Sequence, residues 1–483
     1  MDCNANTEER ASVRIQFDPQ GPLEFGESHL QVTQHYYAKY GAINDILWRN
    51  PEILAAFHAD AARGLRRAAR RRGARGRRST YTSEQLLRAI LVMEIEELSY
   101  RAATIRIDDS VFLRRFVGIP RGPVMDFTTL QKVYKAIDPA TWKKINELLG
   151  RYAIEAKLIE GSRLRVDTTA YETNVHYPTD SSLLWDTYRA LSRLIGRVRD
   201  YDADAVGPGR LQGRRVKRLV LRIGRQANQT EKKRAGLKRP YQALLGHVSH
   251  IIGWSQRVRV LCRERLREDA YDFHVSLILE GILESMKDYE ALGLRVVAQA
   301  RRRVLGGEKV PNSEKILSIF EPHTELLKRG KAAKPVEFGH MVLLQEVEHQ
   351  FISNYEVFER RPVDASLVDG VLAQHRRIFG TLPEALAADK GFYESMPKLY
   401  ELEKVIPIVS IAKKGSRSSQ EMQREHDPIF KALQRFRAGI EGTISVLKRA
   451  FKMGRCLYRS FRSYCSSVGS HVFAHNLVVL ARL

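Results

Sequence analysis

Three carboxylates stand out by their surroundings: Asp167 in Arg165-Val-Asp-Thr-Thr-Ala-Tyr-Glu-Thr-Asn174, Asp389 in Leu386-Ala-Ala-Asp-Lys-Gly-Phe-Tyr393, and Glu441 in Arg435-Phe-Arg-Ala-Gly-Ile-Glu-Gly-Thr-Ile-Ser-Val-Leu-Lys448. Acids gathered from distant parts of a chain are the oxygen donors that Mg2+ takes, with Mn2+ as a substitute. Two such ions roughly 3.5–4 Å apart neutralise a phosphate and hold the attacking and leaving oxygens of an in-line displacement. Sequence separation is no obstacle if the fold brings the acids together. At about 100° per residue, Arg437, Glu441 and Lys448 fall within about 40° of one another on a helix, so one face offers a carboxylate flanked by two cations. Such a face suits a metal ion and a phosphate together.

The elements that must position these residues read as an α/β core. Leu164, Val166 and Thr168 alternate with Arg165, Asp167 and Thr169, which predicts a strand with Asp167 near its carboxyl end. Further strands are expected at Ile316 to Phe320, Glu337 to Leu344 and His349 to Val357, then a helix near Ala365 to Ile378 and a strand ending at Asp389. A helix at Ser395 to Glu403, a strand at Val405 to Ile411 and helix from Asp427 complete it. Between about Leu184 and Leu305 the sequence is charged and helical, with a loop from Gly207 to Gly213 and a basic stretch from Arg214 to Arg239. The expected organisation is therefore a core of residues 156–183 and 306–483 carrying a large helical insertion, 184–305. Carboxyl ends of strands in such sheets are where ligands collect.

Upstream, residues 1–80 read as a helical and arginine-rich arm. Nine arginines lie between Arg63 and Arg78, and Arg70, Arg71, Arg72, Arg75, Arg77 and Arg78 are the candidate phosphate contacts. Arg75-Gly-Arg77 suits a narrow minor groove, and a solvated linker is the alternative. Residues 81–155 read as short helices opening near Thr82 or Ser83, Ser99 and Phe127, separated by Gly118, Pro120, Gly122 and Pro123. That pattern fits a helix-turn-helix-like DNA-binding domain, or a helical domain that only packs on its neighbour.

Over 483 residues, 80 lysines and arginines stand against 56 acids, a net charge of +24 that points to a polyanion, with nucleic acid first. No apolar stretch is long enough for a membrane span, and the polar start is unlike a signal peptide, so a cytoplasmic, nucleoid-associated protein is expected. Cys3, Cys262, Cys456 and Cys465 lack the paired spacings of a zinc site and read as reduced thiols.

From about Tyr81 to the end, the sequence resembles the DDE transposases of bacterial insertion sequences, in particular the ISNCY assemblage and its relatives. Asp167 matches the first family aspartate, Ala388-Asp-Lys-Gly-Phe-Tyr393 is similar to the second-aspartate motif, and Thr173 to Asp186 looks like an extension seen in that group. Arg437, Glu441 and Lys448 match the last three residues of a tyrosine-arginine-glutamate-lysine signature, whose tyrosine position is Gln434 here. The resemblance implies an RNase H-like core in which Asp167 bridges two magnesium ions, Asp389 completes one coordination sphere and Glu441 the other. Arg437 and Lys448 would clamp phosphate. It also implies double-stranded DNA as partner, both as terminal inverted repeats and as target, with a homodimer or larger assembly pairing two ends. A catalytically silent DNA-binding regulator and a nuclease of the same fold are the alternatives. Asn174 and His176 are secondary candidates, as are Asp180 and Asp186, which also suit the start of the following helix.

Overall fold

Strand β1, Arg163–Thr173, is the longest-partnered strand of a mixed sheet. The computed structural model describes residues 30–70, 80–227, 236–328 and 335–483. These form two units: the described residues before Asn174 together with Gly339–Leu483, and the described residues of Asn174–Phe338. Arg71, Arg72, Arg75, Arg77 and Arg78, and the side chain of Arg70, lie outside the described residues.

In the first unit β1 pairs antiparallel with β3 (Val336–Glu346), from Arg165↔Glu346 to Glu172↔Gly339. Strand β4 (Ile352–Val357) also pairs with β3, as does β2 (Glu325–Lys328), which itself belongs to the second unit. On its other edge β1 runs parallel to β5 (Ala385–Ala388) over Arg163 to Val166, and β5 runs parallel to β6 (Ile408–Ile411). The short β7 (Arg455–Cys456) returns to that edge beside Glu172 and Thr173. Among the described residues no strand pairs with this edge from Asp167 to Tyr171. The order β4-β3-β1-β5-β6 therefore has a gap next to Asp167.

Among the described residues seven helices precede β1: α1 (Gln31–Arg49), α2 (Pro51–Arg70), α3 (Ser83–Ile95), α4 (Tyr100–Asp109), α5 (Val111–Val117), α6 (Phe127–Ala136) and α7 (Pro139–Glu155). Their starts follow capping chemistry. Thr82 and Gln85 form a reciprocal capping box, while Ser99, Ser110, Asp126 and Asp138 each accept a backbone N–H of the turn they open. Helices α2 and α6 meet closely: a Cβ on Gly64 would lie 2.6 Å from the Cβ of Ala136.

The second unit holds α8 (Asp180–Arg199), α9 (Ala203–Val206), α10 (Gly213–Ala227), α11 (Lys238–Arg267) and α12 (Phe273–Ala300) around a core of its own that includes Leu184, Leu191, Ile251, Leu283 and Met286. It is wider than the expected 184–305, because the capping box of Thr179 starts α8 early and Ile316 and Ile319 are buried in the same core. Ile316 to Phe320 is not a strand. The side chain of Gln299 takes the Ile316 N–H at 2.8 Å, so this apolar run is buried without a ladder partner.

After β4 come α13 (Val368–Phe379), α14 (Met396–Glu403), α15 (Ser419–His426), α16 (Pro428–Ala450) and α17 (Phe461–Leu480). Helix α17 is buried on nearly all sides from Tyr464 to Leu480, with Phe473 against Trp142 of α7 at 6.1 Å between ring centroids. One core thus joins the helices before β1 to the sheet. Among the described residues no helix is long and apolar enough to cross a membrane.

Candidate active site

Val166 pairs with Ala388, so the residues that follow them, Asp167 and Asp389, stand at one level on neighbouring parallel strands. Backbone amides orient both carboxylates: Thr168 N–H donates to Asp167 Oδ1 at 2.7 Å and Lys390 N–H to Asp389 Oδ1 at 2.6 Å. Asp167 is half-buried and Asp389 exposed. One expectation needs correction, because Asp167 does not end its own strand: β1 continues through Thr173. The strand end beside Asp167 is that of β5. Alternation located the strand but not its length, since Ala170 and Tyr171 are buried in succession and blur the period.

Glu441 comes from α16, which Asp427 caps and Pro428 opens. Arg165 of β1 fastens this helix to the sheet. Its Nη1 donates to Phe436 O at 2.6 Å and its guanidinium lies 4.7 Å from the Phe436 ring centroid. Its Nε donates to Glu346 Oε1 of β3 at 2.9 Å. Burial pushes the Glu346 carboxyl above its ordinary range against the pull of Arg165. The approach depends on Gly439, where a Cβ would overlap Arg165 Nη1. At the outer strand β6, Gln434 Nε2 donates to Ser410 O at 2.8 Å and to Ser410 Oγ at 3.0 Å. The residue at the signature's tyrosine position thus acts here as an anchor for the helix.

So held, α16 places Arg437 between two of the acids. Arg437 Nη1 is 3.9 Å from Asp167 Oδ2, and Nη2 is 3.3 Å from Glu441 Oε1. The Glu441 side chain is 65% exposed, which leaves it open to a ligand. Lys448, half-buried, follows on the same face of the helix. Among the described residues no three His, Cys, Asp or Glu side chains converge into a ready metal cage.

A fourth acid escaped sequence reasoning. Thr168 Oγ1 donates to Asp364 Oδ1 at 3.4 Å, and a Cβ on Gly391 would meet Asp364 Oδ2 at 2.8 Å. Asp364 therefore lies beside the neighbours of both Asp167 and Asp389. In sequence it reads only as the start of a helical turn, which it also is, opening Asp364–Leu367 ahead of α13.

The secondary candidates belong to the second unit. His176 Nε2 is 2.7 Å from Asp186 Oδ2, and Arg189 Nη2 donates to Asp186 Oδ1 at 2.9 Å. The buried Asp186 carboxylate holds His176 above the usual histidine range. Asp180 is the first residue of α8 and pairs with Arg303 at 2.9 Å, while Asp186 lies inside the helix and caps nothing. Asn174 is exposed. On α10, Arg214, Arg218, Arg222 and Arg225 form an exposed stripe, spaced so that all fall within about 80° of helix face.

No curated protein and no solved structure matches the chain. A family model does match residues 52–136, and its description is a transposase domain, DUF772. The matched stretch runs from the start of α2 to the end of α6, the two helices that meet at Gly64 and Ala136. Over residues 52–136 the chain is thus similar to a transposase domain.

Proposed function

We propose that the chain is a DDE transposase of the ISNCY assemblage. It would cleave double-stranded DNA at terminal inverted repeats and join the freed 3′-hydroxyl to target DNA, as a dimer or larger assembly that pairs two ends. The observation that carries this reading is the placement of Arg437 between Asp167 and Glu441, with Asp389 level with Asp167, in a chain whose residues 52–136 match a transposase-domain model. The order β4-β3-β1-β5-β6, with β3 as the antiparallel neighbour of β1, supports an RNase H-like core.

Three carboxylates are oxygen donors of the kind magnesium takes. Asp167, Asp389 and Glu441 would hold two ions, which when bound supply charge neutralisation at the phosphate. The chain's own groups do the rest. The amides of Thr168 and Lys390 keep one oxygen of each aspartate directed. Among the described residues Arg437 reaches Asp167 and Glu441 through the ion pairs given above, and its Nε has no hydrogen-bond partner. It therefore has donors left for a phosphate oxygen, and Lys448 on the same face adds a second cation.

Asp167→Asn, Asp389→Asn and Glu441→Gln should each abolish strand cleavage and joining on the DNA that borders the gene, while end binding is largely kept. Each swap preserves size and removes one negative ligand. Glu160→Gln, an exposed acid ahead of β1, should stay active. A triad variant that works at the wild-type rate in magnesium removes that residue from the site. Binding without cleavage by the wild-type chain would favour a silent regulator, and cleavage without joining a nuclease.

A further inference from the structure

A cleft of about 690 Å³ lies in the first unit, among α3, α4, β7 and α17, apart from the acids. That volume is within the roughly 300–1,000 Å³ of a small-molecule site. Tyr100, Tyr171 and Tyr458 line it together with Lys135, Arg455 and Arg459. The tyrosines belong to an aromatic group: Tyr458 stacks on Tyr134 at 4.9 Å between centroids and meets Tyr100 edge-on at 6.1 Å. His471 also lines the cleft and is fully buried. Its Nε2 faces Glu94 Oε2 at 3.4 Å, while its Nδ1 has no hydrogen-bond partner among the described residues. Lys452 Nζ, 3.6 Å from the same Glu94 oxygen, is held by Met93 O at 2.8 Å and Leu98 O at 2.5 Å. At the rim Arg455 and Arg459 are exposed, and Leu457 is 70% exposed. Glu97 is the rim's acid.

Aromatic walls, a buried polar atom without a partner and a cationic rim ask for a planar ligand with a polar edge and a negative charge at the other end. We propose that this cleft binds a nucleobase together with its attached phosphate, taken from an unstacked nucleotide of the DNA strand. The rings supply a stacking surface, worth about 1–3 kcal/mol per base and tolerant of base identity. The spare His471 nitrogen meets a base edge, and Arg455 and Arg459 meet the phosphate. Arg455 pairs opposite Glu172 on β1, five residues beyond Asp167, or roughly 17 Å along the strand. A DNA strand engaged at the acids would thus reach the cleft. The inference rests on the reading that the chain acts on DNA.

The test uses the full chain with single-stranded oligonucleotides carrying one 5-iodouracil, photocrosslinked and mapped, and with deoxyuridine monophosphate titrated by calorimetry. Crosslinks at Tyr100 or Tyr458 are expected. Affinity for the oligonucleotide should fall about five- to a hundredfold in Arg459→Glu and Tyr458→Ala, and little in Tyr458→Phe, which keeps the ring. Arg459 is exposed, so its variant tests the cleft even if Tyr458→Ala misfolds. Binding of the mononucleotide as well, abolished in Arg459→Glu, would assign the same chemistry to a free nucleotide. Oligonucleotide binding with crosslinks only elsewhere, and no loss in Arg459→Glu, overturns the cleft and leaves the DNA reading standing. No binding to any DNA, single- or double-stranded, overturns both.

Discussion

His375 and His475 are buried, and desolvation lowers each to a pKa of about 4. For His375 the nearby Glu348 pulls the other way and for His475 the Asn476 side chain does, and burial outweighs both. Each folded pKa lies below the unfolded value of about 6.5, so between these pH values the unfolded chain binds more protons. The stability they contribute is therefore present above about pH 6.5 and lost as pH falls toward 4, with a slope of up to about 1.4 kcal/mol per pH unit for each histidine. Glu94, fully buried and lowered to about 2 by His471 and Lys452 against its burial, gives a separate loss below about pH 4.5. Urea unfolding midpoints followed from pH 7.5 to 4.5 should show the histidine loss. A His375→Phe variant, with its ring still against Phe379, should show a shallower slope. An unchanged slope would mean His375 is not held neutral. At this scale the sequence singles out Asp167, Asp389 and Glu441 by the motifs around them. It was silent on Asp364, whose place depends on the loop after β4 passing Thr168 and Gly391.

At the scale of elements, the position of α16 matters most, since it carries Arg437, Glu441 and Lys448. Gly439 packs against the Arg165 side chain of β1, and its added Cβ would fall on Arg165 Nη1 rather than in open space. Gly439→Val should push the helix outward, separate Arg437 from Asp167 and lower cleavage at least about tenfold, with a stability loss of about 1–3 kcal/mol typical of overpacking. Gly442→Ala, where a Cβ meets nothing within 4 Å, is the matched control. Equal cleavage by the two variants would show that the approach at Gly439 does not set the site. Helix starts were largely legible, because Thr82, Ser99 and Asp427 advertise themselves as caps. Strand lengths were less so. Thr168 to Tyr171 lose the alternating pattern where the strand is covered on both faces, and Ile316 to Phe320 carry strand-like residues that a helical core buries instead.

At the scale of the molecule, the net charge of +24 is spread over both units, and the α10 stripe is its densest described part in the second. Replacing Arg214, Arg218, Arg222 and Arg225 with Gln should weaken binding to DNA of any sequence. It should also flatten the log–log salt dependence by about 0.9 for each phosphate that is no longer neutralised. A slope equal to that of the wild-type chain would make the stripe a solvated face. The sequence divides the chain into four parts, and the border of the second unit was not legible in it, since residues flanking the helices join one core or the other only once the chain is packed. That border has a consequence of its own. The second unit leaves the first after Thr173 and returns at Gly339, and the register sets Glu172 opposite Gly339 on hydrogen-bonded antiparallel strands. Exit and re-entry are therefore only about 5 Å apart, the width of one ladder rung. Seen from β1 and β3, the whole second unit occupies the place of a hairpin turn, so a lineage can lengthen, trim or exchange it while Asp167, five residues upstream of Glu172, keeps its neighbours.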